Sequence, residues 1–149
     1  MPRTASDGSS DKIDKMVKAD EAYKNRILVV DDNEDSATSL AAMFEMLDHE
    51  ARAVFDGVSA VETAASFRPD VVLLDIGLPK MSGLAAARKI REQSWGKAIF
   101  LIAVTGWGDE EHRRQSAEAG FDLHLVKPVD PTALGNVLAR RQRKLRLDE

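Results

Sequence analysis

The chain contains no cysteine in its 149 residues, which excludes disulfides, thiolate metal sites and cysteine nucleophiles. No apolar run approaches the roughly 20 residues that cross a membrane, so no membrane partner is expected. Positive charge is not in excess, since the formal net charge is -4, and this gives no general attraction to nucleic acid. A glycine-rich phosphate loop is also absent, which excludes a nucleotide-binding switch. The N-terminus lacks the apolar centre of a signal peptide, and we expect a cytoplasmic protein.

What the sequence does contain fits one folded domain with two short flanking segments. Hydrophobic residues make up 44% of the chain, which is enough for a packed core. Residues 1–25 are interpreted as an N-terminal arm, partly disordered, in which residues 12–24 form either a short amphipathic helix or a solvated lead-in. The apolar residues of that stretch are Ile13, Met16, Val17 and Tyr23. The domain is predicted over residues 26–140, and residues 141–149 are a basic helix end or tail.

That basic C-terminal stretch is the feature of the sequence that points toward nucleic acid. It begins Arg140-Arg141-Gln142-Arg143-Lys144, and no helix-turn-helix pattern follows it. Positive charge near the C-terminus of a helix also complements the helix dipole, and we favour that interpretation. Nucleic acid is therefore not an expected partner.

From residue 26 onward, short apolar runs alternate with segments of helical periodicity. Strands are predicted over residues 27–30, 50–54, 71–74, 99–104 and 121–126. Helices are predicted around residues 40–47 and 58–67, over 83–93, over 109–119, and from residue 131 onward. Three of the strands are apolar throughout, as in a parallel sheet whose two faces are both covered by helices. The sequence thus predicts a doubly wound α/β domain, with the less apolar second strand at an edge.

Polar side chains suited to chemistry follow four of the five predicted strands. They are Asp31 and Asp32 after the first, Asp75 after the third, Thr105 after the fourth, and Lys127 with Pro128 after the fifth. Functional groups of open parallel sheets gather at the carboxyl ends of the strands, so we expect these residues to meet at one edge. Each of them taken singly is typical of a cap or a turn, but their joint placement favours a functional site.

The types of residue at this edge indicate a particular chemistry. Three neighbouring carboxylates repel one another unless a cation offsets their charge. Hard oxygen ligands suit Mg²⁺, which usually takes one or two carboxylates from a protein and leaves positions for phosphate oxygens. Lys127 adds a mobile positive charge and Thr105 a hydroxyl donor. Together these groups predict phosphoryl transfer onto an aspartate, with Mg²⁺ as the cofactor.

The same residues stand in segments that resemble the response-regulator receiver domain of two-component phosphorelays. The segments are Ile27-Leu28-Val29-Val30-Asp31-Asp32-Asn33, Val71-Val72-Leu73-Leu74-Asp75-Ile76-Gly77-Leu78-Pro79, Met81-Ser82-Gly83, Val104-Thr105-Gly106, Ala119-Gly120 and Leu125-Val126-Lys127-Pro128. The resemblance covers about residues 26–140. It implies a flavodoxin-like sheet of five parallel strands in the order 2-1-3-4-5, flanked by five helices.

The resemblance also implies roles for the acidic residues. Asp75 would be the phosphoacceptor and, with Asp32, a carboxylate ligand of Mg²⁺. The backbone carbonyl of Gly77 would be a third ligand, and Asp31 would support the metal through water. Asp75 would therefore both hold the metal and react.

Further implied roles concern the residues that meet the phosphoryl group. Lys127 would contact the phosphoryl oxygens, and its peptide bond to Pro128 would be cis. Thr105 would hydrogen-bond the phosphoryl group and pull its loop along, as a two-state switch. With Asp75, Lys127 and Thr105 would be the residues that take part in the reaction.

Three positions depart from the usual pattern of the family, and one of them, Gly77, offers no side chain near the phosphoryl group. His124 stands where the family has Tyr or Phe as the rotating partner of Thr105, and we expect it to be a partly exposed edge residue rather than a switch. Trp107 is bulky at a position that shapes attack by water, so the hypothesis is that it changes the lifetime of the phosphorylated form. The alternative for Trp107 is an anchor that packs the loop.

The function implied is that of a single-domain response regulator. A histidine kinase or histidine phosphotransfer protein would supply the phosphoryl group, and output would pass to a downstream protein. The polar helix over residues 109–119 would form the output surface with the fifth strand and the last helix. The chain would not be an enzyme beyond self-phosphorylation from a phosphodonor and autodephosphorylation, and a homodimer stays open.

Three other functions compete with that of a single-domain response regulator. A receiver fragment of a hybrid histidine kinase and a phosphate-independent pseudo-receiver both stay open as alternatives, although a pseudo-receiver usually lacks an acidic residue or the lysine. A haloacid-dehalogenase-like phosphatase would need Asp-x-Asp after the first strand. Here the first strand is followed by Asp31-Asp32-Asn33, which does not fit.

Overall fold

The computed structural model describes residues 24–148, and side chains up to residue 140. Five strands form one parallel sheet in the order β2-β1-β3-β4-β5. The strands are β1 (Arg26–Val30), β2 (Glu50–Val54), β3 (Val71–Asp75), β4 (Phe100–Thr105) and β5 (Leu123–Val126). This confirms the doubly wound, flavodoxin-like fold, with β2 at an edge as its weaker apolar pattern predicted. The short helix or solvated lead-in expected over residues 12–24 lies, up to residue 23, outside the described residues.

Five α-helices connect and follow the strands. They are α1 (Glu34–Met46), α2 (Gly57–Phe67), α3 (Gly83–Glu92), α4 (Glu110–Ala119) and α5 (Pro131–Asp148), with a short 3-10 turn at Ser94–Gly96. The residue before each of the first four helices accepts a hydrogen bond from a backbone N–H in the first turn through its side chain; these residues are Asn33, Asp56, Ser82 and Asp109. Such caps satisfy donors that the helix itself leaves free, so the start of each helix is fixed by local sequence.

The two faces of the sheet carry separate apolar cores. On one face, alternate strand residues such as Leu28 and Leu74 pack with α2, α3 and α4. On the other, residues such as Val29 and Leu73 pack with α1 and α5, whose Leu134 is buried. Residues that alternate in a strand point to opposite faces, so a strand covered on both sides must be apolar at every position. That explains the unbroken apolar runs of β1, β3 and β4.

The guanidinium of Arg91 links the loops at the amino ends of β4 and β5 through several hydrogen bonds. Arg91, near the end of α3, donates from Nε to the Gly120 carbonyl at 2.9 Å. Its Nη1 donates to the carbonyls of Gly96 at 2.8 Å and Ile99 at 2.7 Å, and its Nη2 contacts a carboxylate oxygen of Asp122 at 2.8 Å. Several loops at this edge are therefore linked through Arg91, a role that the sequence did not predict.

Two details differ from the predictions. β5 begins at Leu123 rather than at Phe121, because the Phe121 N–H donates to the Ser116 carbonyl and closes the end of α4 instead of joining the sheet. Leu47, which continued the apolar period of α1, lies just past the helix and is 55% exposed. Across residues 24–148, no helix is both long enough and apolar enough to cross a lipid bilayer.

Candidate phosphoacceptor site

Three carboxylates meet at the carboxyl edge of the sheet. Carboxylate oxygens of Asp31, Asp32 and Asp75 lie within 4.8 Å of one another. The sheet order explains this, because β1 is paired with β3 and Val30, the last residue of β1, is the register partner of Leu74 in β3. The acids that follow them in sequence are thereby brought side by side, as the strand-end pattern predicted.

Backbone hydrogen bonds hold two of these carboxylates. The Asn33 N–H donates to Oδ1 of Asp31 at 3.0 Å, and the Gly77 N–H donates to Oδ1 of Asp75 at 3.0 Å. Each carboxylate therefore uses one oxygen within its own loop and presents the other to the cleft. Asp32 is exposed, whereas Asp75 is buried, with 8% of its surface accessible.

Lys127 places its ammonium between the two held carboxylates. Its Nζ donates to Oδ2 of Asp75 at 2.8 Å and lies 3.4 Å from Oδ2 of Asp31. Burial opposes the charged form of Lys127, but hydrogen bonds and charge attraction from Asp75 and Asp31 outweigh it, so its pKa lies above the ordinary value. The ammonium therefore stays protonated at neutral pH.

The backbone around Lys127 fixes the direction of its side chain. The Lys127 N–H donates to the Thr105 carbonyl at 2.8 Å, which extends the pairing of β4 with β5. The peptide bond between Lys127 and Pro128 is cis. The backbone pairing with Thr105 places Lys127 at the end of β5, from which its side chain crosses β4 to reach Asp75 in β3.

The acidic cluster has the donor set that a hard divalent cation prefers. Its ligand atoms are all carboxylate oxygens, and they approach one another closely enough to share one ion. One ammonium leaves three adjacent carboxylates with a net negative charge, which a divalent cation would offset. The residues present therefore fit Mg²⁺.

Thr105 ends β4 and is buried, with 4% of its surface accessible. Its Oγ1 accepts a hydrogen bond from the Trp107 N–H at 3.3 Å. Since Val104 is the register partner of Asp75, Thr105 lies one residue further along the neighbouring strand. The hydroxyl thus lies at the same edge of the sheet as Asp75, and it is held by a hydrogen bond within its own loop.

The structure contradicts the expectation that His124 is partly exposed. His124 is buried, with 8% of its surface accessible, and both ring nitrogens have partners. Nε2 is 2.7 Å from the Trp107 carbonyl oxygen, and Nδ1 is 2.9 Å from Oγ of Ser116. A carbonyl only accepts, so Nε2 carries a proton. The polar ring can be buried here because both of its nitrogens have hydrogen-bonding partners. The expectation of partial exposure took account of the ring alone.

Ser116 is a residue of this region that sequence reasoning missed. It lies in α4, is 1% exposed, and also approaches the Arg113 carbonyl at 3.0 Å. The sequence contained one indication that Ser116 is buried, because it precedes Ala119 by three residues and the two share the buried face of α4. The helix otherwise buries little, as its polar sequence predicted.

Trp107 presents its ring to solvent and its peptide to the interior. The side chain is 63% exposed and stacks on the His112 ring, with centroids 5.5 Å apart. Its N–H bonds to Thr105 and its carbonyl to His124. One residue therefore connects the end of β4 with β5 and, through His124, with α4.

Comparison with known proteins agrees with this geometry. Residues 27–139 match the response regulator receiver domain family. Response regulator PleD of Caulobacter vibrioides is 34% identical over 125 residues, which cover 83% of this chain and 28% of PleD. Response regulator MprA of Mycobacterium ulcerans is 36% identical over 121 residues, covering 81% of this chain and 50% of MprA. The chain thus spans half or less of the length of these relatives.

A solved structure adds a metal to the comparison. The receiver domain of a sensor histidine kinase from Pseudomonas aeruginosa, which has a magnesium ion in its active-site cleft, is 34% identical. It superposes with a TM-score of 0.72, covering 78% of this chain and 96% of that one. The chemotaxis response regulator CheY4 of Vibrio cholerae, 26% identical, superposes with a TM-score of 0.74 over 78% of this chain and 98% of its own.

Proposed function

Because this chain belongs to the response regulator receiver domain family, we propose that it carries a phosphoryl group on Asp75 as part of a two-component pathway. The observation that carries the proposal is the grouping of a buried carboxylate with an ammonium at 2.8 Å beside two further acids. This arrangement supplies a nucleophile, a positive charge for phosphoryl oxygens and a cation site at one sheet edge.

The proposed reaction is the transfer of a phosphoryl group from a phosphohistidine of a histidine kinase or phosphotransfer protein. A carboxylate oxygen of Asp75 attacks phosphorus and forms an acyl phosphate bond. The bond from phosphorus to the histidine nitrogen breaks, and its electron pair stays on that nitrogen. Lys127 moves from its carboxylate contact to the phosphoryl oxygens, where its positive charge offsets the charge of the transferred group.

We assign Mg²⁺ to the acidic cluster. Asp32, Asp75 and the Gly77 carbonyl would hold it, with Asp31 acting through water. When bound, the ion offsets the negative charge that phosphoryl oxygens bring to the carboxylates. Support comes from the oxygen donor set of the cluster and from the magnesium in the similar Pseudomonas receiver domain.

The proposed switch begins at Thr105. If its hydroxyl bonds to the phosphoryl group, it leaves the Trp107 N–H from which it now accepts. The Trp107 peptide is attached to His124, and His124 to Ser116 in α4, so movement of that peptide alters the α4 and β5 surface. The signal would pass through hydrogen bonds to a downstream protein that binds this face.

The wider setting of the domain is also part of the proposal. We place the chain in the cytoplasm, as a response regulator whose domain occupies residues 26–140, and a homodimer is compatible with it. A receiver segment of a hybrid kinase is a second candidate, because a similar solved structure is the receiver domain of a sensor histidine kinase. Both candidates assign the same chemistry to Asp75.

The proposal is tested by intact-mass spectrometry. Incubated with acetyl phosphate and Mg²⁺, the chain should gain the mass of one phosphoryl group within the first time points, and the gain should vanish when EDTA removes the metal. Metal dependence follows because uncompensated carboxylates repel a dianionic phosphoryl donor. A folded chain that gains no mass at any time point would instead support a phosphate-independent receiver, and an equal gain in EDTA would remove Mg²⁺ from the proposal.

A second prediction concerns Trp107. Its exposed indole lies in the loop after Thr105. If it restricts the approach of water to the acyl phosphate, Trp107→Ala should shorten the lifetime of the phosphorylated form by about fivefold, a barrier change of about 1 kcal/mol. Decay is followed by intact mass after the donor is removed. His112→Ala, which takes away the stacking partner but leaves the indole, is the matched control, and an unchanged lifetime in Trp107→Ala would leave the residue as a loop anchor.

A further inference from the structure

The β4–α4 loop, residues 106–109, is held at two consecutive backbone carbonyls. Nε2 of His124 donates to the Trp107 carbonyl at 2.7 Å, and Nε of Arg113 donates to the Gly108 carbonyl at 2.9 Å. The first donor belongs to β5 and the second to α4. Two different elements therefore hold this loop, which begins directly after Thr105 at the carboxyl edge of the sheet.

Arg113 differs from the arginine that follows it in the partners of its guanidinium. Arg114 pairs with two carboxylates of its own helix, those of Glu111 and Glu118. Arg113 instead donates to backbone carbonyls outside α4, that of Gly108 in the loop and, at 3.4 Å, one in β5. A hydrogen bond from a charged donor is stronger than one between neutral groups. Arg113 is thus placed to hold the loop, whereas Arg114 stabilises the helix.

Close packing against β5 adds to these hydrogen bonds. A Cβ atom on Gly108 would lie 2.7 Å from Cγ2 of Val126, nearer than two unbonded carbon atoms approach. A Cβ atom on Gly106, in the same loop, would meet nothing within 4 Å. The loop therefore lies directly on β5 at Gly108, where the absence of a side chain permits the close approach.

The conformation that is held in this way includes the Thr105 hydroxyl. The Trp107 N–H donates to Oγ1 of Thr105 at 3.3 Å, and the carbonyl of the same tryptophan is the one that His124 holds. In the proposed switch, the hydroxyl leaves the Trp107 N–H and bonds to the phosphoryl group. Contacts that hold the loop in its present position therefore favour the unphosphorylated arrangement and oppose this step.

We propose that Arg113 is a positioning residue that restrains the β4–α4 loop together with His124 and thereby slows phosphorylation of Asp75. The inference rests on the proposed function and adds a restraint to it. Arg113 acts through the Gly108 carbonyl and the loop, not on the reacting atoms. Because the Thr105 hydroxyl reaches the phosphoryl group only when the loop is released, the rate of transfer follows the fraction of molecules with a released loop.

The restraint is tested first in the full, unphosphorylated chain. Arg113→Met removes the donor, and Arg114→Met is the matched control at the next position. Solvent exchange of the Trp107 backbone amide, measured by NMR with saturation transfer from water, should be about threefold faster or more in Arg113→Met alone. The Ser36 amide, which donates to Oδ1 of Asn33 at 3.0 Å, should exchange equally in all chains. Equal Trp107 exchange in all chains, or faster exchange at both amides, would overturn the proposal.

The second measurement is the initial rate of phosphorylation by acetyl phosphate and Mg²⁺, followed by intact mass. Release of the restraint should make Arg113→Met about threefold faster or more than the unmodified chain, with Arg114→Met unchanged. A purely structural role would leave the rate of Arg113→Met equal or lower it, and either result would overturn the proposal. If the unmodified chain gains no mass, the proposed function fails and the effect on phosphorylation with it, while amide exchange still decides whether Arg113 holds the loop.

A pair of glycine substitutions moves the loop without changing any charge. Gly108→Ala pushes the loop away from Val126, so it should raise both Trp107 amide exchange and the phosphorylation rate, as Arg113→Met does. Gly106→Ala has room for its methyl group and should match the unmodified chain in amide exchange. Faster amide exchange in Gly108→Ala without faster phosphorylation would show that the loop does not restrain the reaction, and would overturn the proposal.

Discussion

Replacing Asp75 with asparagine should abolish phosphorylation by acetyl phosphate in the presence of Mg²⁺. Asparagine keeps the shape of the side chain and can still accept the hydrogen bond that Gly77 donates to Oδ1. Its amide oxygen lacks the negative charge of a carboxylate nucleophile, so no acyl phosphate forms. We expect the mass of the variant to stay unchanged under conditions in which the unmodified chain is converted.

The matched control for this experiment is Asp48→Asn, which changes the same chemical group away from the site. Asp48 is exposed and has a φ of 70°, a backbone conformation that asparagine adopts readily. It should be phosphorylated like the unmodified chain. Phosphorylation that persists in Asp75→Asn, with the modified peptide mapped elsewhere, would show that another residue is the acceptor.

Replacing Lys127 with methionine should slow phosphorylation by about 10²- to 10³-fold, the usual cost of losing one charged or hydrogen-bonding group that stabilises a transition state. Methionine keeps an unbranched chain but removes the ammonium that lies 2.8 Å from Asp75. Mg²⁺ should bind more tightly to the variant, because the ammonium no longer competes for the same carboxylates. Initial rates of mass gain and a Mg²⁺ titration followed by tryptophan fluorescence measure the two effects.

Lys80→Met is the matched control for Lys127→Met. Lys80 is exposed, and its ammonium lies 3.7 Å from a carboxylate oxygen of Asp56, outside the acidic cluster. Its loss should leave both the rate and the Mg²⁺ affinity near those of the unmodified chain. If Lys127→Met is phosphorylated as fast as Lys80→Met, the Lys127 ammonium takes no part in the phosphoryl transfer and only stabilises the folded protein.

Much of the fold follows from local features of the sequence. β1, β3 and β4 were predictable because strands covered on both faces must be apolar at every position, and helix starts were marked by capping side chains such as Ser82. The grouping of Asp31 and Asp75 was predictable as well, because parallel strands bring their carboxyl ends to one edge. These inferences need only the order of the residues along the chain.

Features that depend on residues distant in sequence were not predictable in the same way. The burial of His124 depends on a serine in α4 and on a backbone carbonyl after β4, and neither is implied by the sequence near His124. The five partners of Arg91 in the loops around it likewise exist only once helices have been placed on the sheet. Sequence periodicity indicates which face is buried but not which polar groups meet there.

The hydrogen bonds that Arg91 makes at the amino edge of the sheet affect which parts of the domain open most easily. Opening that edge would leave several backbone carbonyls and the Asp122 carboxylate without their charged donor, so amide hydrogens there should exchange slowly with solvent deuterium. At the opposite edge the contacts between α4 and β5 are fewer: Ser116 contacts Nδ1 of His124, and Arg113 donates to the His124 carbonyl at 3.4 Å. Local opening is therefore expected to cost less free energy on the side of the sheet that carries Asp75, where the loop after β4 can rearrange while the rest of the sheet remains closed.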